Sequence, residues 1–93
     1  MAEILVVKSS RANGYEFQVT VKEQHGETRH RVTLTESDYR RLVGGDDSPE
    51  ELVRESFRFL LEREPKESIL RTLDLTVIGR YFPEYEREIR NRL

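Results

Sequence analysis

The side chains best suited to chemistry in this chain are His25, His30, a few serines and the carboxylate pairs Asp46-Asp47 and Glu50-Glu51. A histidine near neutral pH serves as a general base, a proton shuttle or a metal ligand, and each role needs partners at a defined spacing. His25 falls in a polar turn and His30 on a strand, with no cluster of Asp, Glu or His at metal-ligand spacing around either. The serines lack the G-x-S-x-G setting of a nucleophile elbow. No G-x-x-x-x-G-K-[ST] or G-x-G-x-x-G loop is present to cradle a phosphate. The acidic pairs flank a helix start, where they favour the positive end of its dipole. Cysteine is absent, which removes thiol nucleophiles, thiolate metal sites and disulfides. The expectation is a protein that is not an enzyme and takes no cofactor and no metal.

Two other constellations suit binding. Lys22, Arg29 and Arg31 fall on the outward face of a hairpin, a basic patch that an anionic partner would satisfy. The second constellation is aromatic. Tyr81, Phe82 and Tyr85 are followed by Ile89 and Leu93, so that Phe82, Tyr85, Ile89 and Leu93 form a helical stripe. Tyrosine and phenylalanine are common interface anchors because they bury much area at modest entropy cost. The same stripe equally suits docking onto the chain's own core.

These residues must be held by a small scaffold. Ninety-three residues is the size of one domain, expected to bury roughly two-thirds of its unfolded surface. The chain is 37% charged with a net charge of −2, balanced in both halves, so the basic excess of a general nucleic-acid coat is missing. The one N-terminal apolar run, Ile4-Leu5-Val6-Val7, is too short for a secretory core of about 7–15 residues or a span of about 20. Cytoplasm is the expected compartment.

Glu3–Lys8 reads as a strand apolar on both faces, and so buried or paired on both sides. Ser9–Gly14 reads as a turn ending in Asn13-Gly14. In Tyr15–Glu23, Tyr15, Phe17, Val19 and Val21 alternate with Glu16, Gln18, Thr20 and Lys22, and Thr28–Leu34 is a third strand. Centring the hairpin loop on His25-Gly26 pairs Val21 with His30, Val19 with Val32, Phe17 with Leu34 and Lys22 with Arg29. Thr35 opens a short helix through Glu36–Val43, which Gly44-Gly45 ends. Ser48-Pro49-Glu50-Glu51 opens a stronger one, with Leu52, Val53, Ser56, Phe57, Leu60 and Leu61 on one face, running to about Glu64 before Pro65. Within residues 66–82, Ser68–Leu73 suits another helical turn or two, Leu75, Ile78 and Phe82 suit a helix begun by Asp74, and Leu75–Ile78 also suits strand. Pro83 opens a final helical segment.

Residues 28–63, TRHRVTLTESDYRRLVGGDDSPEELVRESFRFLLER, resemble the ribbon-helix-helix DNA-binding fold. That resemblance implies a two-fold dimer in which Arg29, Arg31 and Thr33 reach bases and the amides near Ser48 meet a phosphate. It also requires the strand to pair with its twin, whereas Tyr15–Glu23 offers it a partner within the chain. FRFLLEREPKESIL and DLTVIGRYFPEYE resemble small uncharacterised bacterial proteins, which implies bacterial origin and carries no activity.

The expected fold is a single α+β domain: a three-stranded antiparallel sheet (1–34), two helices (35–64) of which one covers the sheet, and a C-terminal helical segment (65–93). Its core is expected to hold Val6, Phe17, Val19, Val32, Leu34, Leu52, Phe57, Leu60 and Leu61. The expected function is a non-catalytic protein-interaction or regulatory module. It would contact an unidentified protein partner through Tyr81, Phe82, Tyr85 and Ile89, as a monomer or homodimer and with no membrane partner. The other reading is a dimeric DNA-binding regulator using Lys22, Arg29, Arg31, Thr33 and Ser48.

Overall fold

Alternation of apolar and polar residues from Gly14 to Thr35 builds the centre of the molecule. In the computed structural model, which describes residues 2–93, strand β2 (Gly14–Glu23) lies between β1 (Glu3–Arg11) and β3 (Gly26–Thr35) in an antiparallel meander. Phe17, Val19, Val21, Val32 and Leu34 point to one face and are buried there, together with Thr28 and His30. The fold is α+β, as expected, but the sheet has four strands and is mixed. Thr72–Asp74 forms β4, parallel to β3, pairing Val32 with Leu73 and Thr33 with Asp74. The segment expected to be helical, with a strand at Leu75–Ile78 as the alternative, thus donates a strand just before that point, at Thr72–Asp74.

The hairpin register differs from expectation by two residues. The turn is Gln24-His25, so Val21 faces Thr28, Val19 faces His30 and Phe17 faces Val32. Gly26, at a φ of 138°, accounts for the placement, because a positive φ just after the turn suits glycine. A shift of two keeps every side chain on its expected face. It also places Lys22 opposite Glu27 rather than Arg29, which removes the expected like-charge pair.

Strand β1 runs on to Arg11 and closes through Ala12-Asn13, so the first turn is shorter than expected. Its outer face is open, with Leu5 39% and Val7 64% exposed, and it has β2 on one side alone, which corrects the expectation of a strand buried or paired on both sides. Gly14, the first residue of β2, lies hard against β3. An added Cβ would run into the Leu34 carbonyl oxygen and come within 2.7 Å of the Thr35 Cα. Gly14→Ala is expected to lower the unfolding free energy by about 1–3 kcal/mol, because backbone must move to relieve it, and a urea titration will read that loss.

Thr35 caps helix α1 (Glu36–Leu42) by accepting from the Asp38 amide, and Ser48 caps α2 (Pro49–Leu61) by accepting from the Glu51 amide. Both starts fall where capping chemistry places them. Helix α2 stops at Leu61, three residues short of the expected end, and residues 62–64 make a turn before Pro65. It lies against β1 and carries α4 (Tyr85–Arg92) on its other side. Between them, residues 66–68 make one 3-10 turn, and Asp74 caps a second at 75–77 that leads into the short helix α3 (Ile78–Tyr81). All the expected core residues are buried except Val6 and Leu61, which are partly covered.

Candidate functional site

The aromatic stripe of the C-terminal segment divides between core and surface. Tyr85 and Ile89 have no exposed surface. The Tyr85 hydroxyl lies 2.7 Å from the Ser56 Oγ, which in turn donates to the Leu52 carbonyl at 2.7 Å. The Tyr85 ring meets Phe59 edge-on at 5.4 Å, and Phe59 meets Phe82 likewise at 5.9 Å. The Arg63 guanidinium lies 3.6 Å over the Phe59 ring. Of the expected contact residues, Tyr85 and Ile89 thus pack α4 onto α2 and present no surface to a partner. Burial raises the pKa of the Tyr85 phenol well above its ordinary value.

Tyr81 and Phe82 behave differently. With Leu60, Ile69, Leu70, Leu73 and Val77 they line a cleft of about 380 Å³ between the end of α2, the 66–75 segment and α3. Tyr81 is 68% and Leu70 47% exposed, and both line this cleft. The polar lining comes from Glu64 and Ser68. The nearby carboxylates Glu62 and Glu67 are held by Arg92 and Lys66, whereas Glu64 has no ion-pair partner among the described residues.

Leu70 was not among the expected contact residues. Its signal was the adjacent pair Ile69-Leu70 in a segment with no regular period: Ile69 is buried, and its neighbour faces out. The 3-10 turn that precedes the pair is pinned by Lys66. That side chain is nearly buried and bonds to Glu23 at 2.8 Å and Glu67 at 2.7 Å, and these bonds raise its pKa.

His30 fixes the far end of the same segment. Its Nδ1–H donates to the Leu70 carbonyl at 2.7 Å, so Nε2, 2.8 Å from the Thr28 Oγ1, is the acceptor of the neutral ring. Burial lowers its pKa, the Leu70 hydrogen bond opposes that, and the positive charge of Arg71 adds to the lowering. No group of His, Cys, Asp or Glu among the described residues is placed to hold a metal ion.

The basic face is assembled but internally engaged. Arg29 bonds to Glu27 at 3.1 Å, Arg31 lies 3.3 Å from Glu16, and Thr33 donates to Asp74 at 3.0 Å. Lys22 is exposed, and Ser48 is occupied as a helix cap. Strand β3 has β2 on one side and β4 on the other, so along Arg31–Thr33 neither edge is free for a twin strand. No helix among the described residues is long and apolar enough to cross a membrane. Neither a family model, nor a curated protein, nor a solved structure matches this chain.

Proposed function

We propose that the protein is a non-catalytic interaction module whose contact site is the Leu70–Tyr81–Phe82 cleft. The observation that carries this reading is the exposure of two large apolar side chains, Leu70 and Tyr81, on one cavity. Burying them against an apolar anchor would return area to the hydrophobic effect at about 25 cal/mol per Å². The occupant that fits is a partner segment carrying a leucine, methionine or phenylalanine with a lysine or arginine beside it. The apolar residue would fill the cavity, and the cation would answer the unpaired Glu64. A small polar metabolite fits less well, since Glu64 and Ser68 alone would have to orient it.

An array of short synthetic peptides, varying the anchor residue and the charge beside it, tests the reading. Peptides with an apolar anchor and a basic neighbour should bind, and Leu70→Asp should weaken them at least about tenfold, the effect of losing one hot-spot contact. Glu64→Lys should shift the preference towards acidic neighbours. The reading fails if no peptide class binds, or if Leu70→Asp binds as the parent does while keeping the same melting temperature. DNA recognition through β3 has weaker support, because Arg29, Arg31 and Thr33 already hold acidic partners.

A further inference from the structure

Strand β1 is the long outer edge of the sheet, and its free side carries a pattern that matches itself. The two-residue turn after Arg11 makes Arg11 and Gly14 a hydrogen-bonded pair. Alternation then commits the backbone groups of Glu3, Leu5, Val7, Ser9 and Arg11 to β2. Those of Ile4, Val6, Lys8 and Ser10 face the open edge. Edge strands are ordinarily short, bulged or covered. Here the edge away from β2 has no strand beside it over nine residues, with Leu5 and Val7 on the outer face.

We propose that β1 pairs antiparallel with β1 of a second copy, about a two-fold axis at Val7. In that register Val6 faces Lys8 of the twin and Ile4 faces Ser10. All four are residues whose amides and carbonyls point outward, so both strands would satisfy them in full. On the outer face Val7 meets its twin and Leu5 approaches Val7 of the twin diagonally, closing a four-residue apolar stripe. At each end Glu3 faces Arg11. Glu3 has no ion-pair partner among the described residues, and Arg11 keeps a 55% exposed side chain with one loose contact, 3.5 Å to Glu16. A nine-residue strand whose ends carry opposite charges on one face is complementary to itself only when antiparallel and centred on its midpoint, Val7. Lys8 stays with its own subunit, over the Tyr15 ring and 3.9 Å from Glu50. Two four-stranded sheets would thereby join into one continuous sheet.

Sedimentation equilibrium over a concentration series tests the seam. The expected result is a reversible dimer. Val7→Lys places like charges against each other at the axis and should raise the dissociation constant at least about tenfold, while its melting temperature should change little at a position 64% exposed. Glu3→Arg should weaken the dimer in the same direction, and adding Arg11→Glu to it should recover part of the loss, the rest being kept by Lys22 and Glu16, which oppose the swapped charges within each subunit. Leu70→Asp, at the cleft, should leave the mass unchanged, so the seam and the cleft fail separately. A chain that stays monomeric up to about millimolar concentration, weaker than any working dimer, overturns the proposal. So does a dimer indifferent to Val7→Lys, or a charge swap that fails to rescue.

Discussion

Replacing Tyr85 with alanine is expected to remove about 3–5 kcal/mol of unfolding free energy, the usual cost of deleting a buried aromatic ring. A domain of this size holds about 5–15 kcal/mol in total, so the loss is a large fraction of it and should appear as a marked fall in melting temperature. The ring meets Phe59 of α2 edge-on, and Tyr85 is the largest fully buried side chain among the described residues. Tyr85→Phe keeps the ring and loses only the hydroxyl bond, at about 0.5–1.5 kcal/mol. Ser56→Ala is the harsher polar change, about 1–3 kcal/mol, because it strands the Tyr85 hydroxyl in a buried site. The double variant Ser56→Ala/Tyr85→Phe should recover part of that loss, and the non-additivity is the measure of the bond. Urea titrations of the four proteins give every term. A Tyr85→Ala protein with the parent's melting temperature would mean that α4 does not dock on α2.

The stripe that Tyr85 belongs to shows how far sequence reasoning reached. Spacing identified Phe82, Tyr85, Ile89 and Leu93 as one helical face, but a face that docks at home and one that docks elsewhere have the same pattern. The outcome turned on whether α2 had an unfilled side, and Phe59, outside the expected core, supplied it. The hairpin faces were legible because side-chain alternation survives a shift of two. The register needed Gly26's conformation and the better cross-strand charge match of Lys22 with Glu27. Strand β4 was invisible because three residues, Thr72–Asp74, carry no period of their own and pair only because β3 is already there. The open face of β1 was misread for a related reason. An apolar run looks buried on both sides whether or not a second layer exists to cover it. The cleft combined Tyr81 and Phe82, which the sequence marked, with Leu70, which it did not.

His30 should make the stability of the fold depend on pH. Its folded pKa lies below the unfolded value of 6.5, because burial disfavours the charged ring. The unfolded chain therefore binds more protons than the native one over the interval between the two values, and stability rises with pH there. The contribution is fully present above 6.5 and is lost as pH falls through 6.5 towards the lower folded value. Protonation would also put a second donor at Nε2, where the Thr28 hydroxyl now donates. Other titrations act at lower pH: Glu62 is lowered by Arg92, Glu67 by Lys66 and Glu84 by its own backbone amide. Unfolding free energies measured by urea should consequently fall between pH 7.5 and 5.5. A His30→Gln variant, with no group titrating at that position, should be less stable at pH 7.5 and flatter with pH. Removing the ring altogether, as His30→Ala, is expected to cost about 2–4 kcal/mol, from the cavity beside Phe57 and the lost bond to the Leu70 carbonyl. Because that bond tethers the segment bearing Leu70, the variant should also weaken peptide binding at the cleft more than its stability loss alone would. A parent protein whose stability is level across this range would show that burial does not hold His30 neutral in the fold.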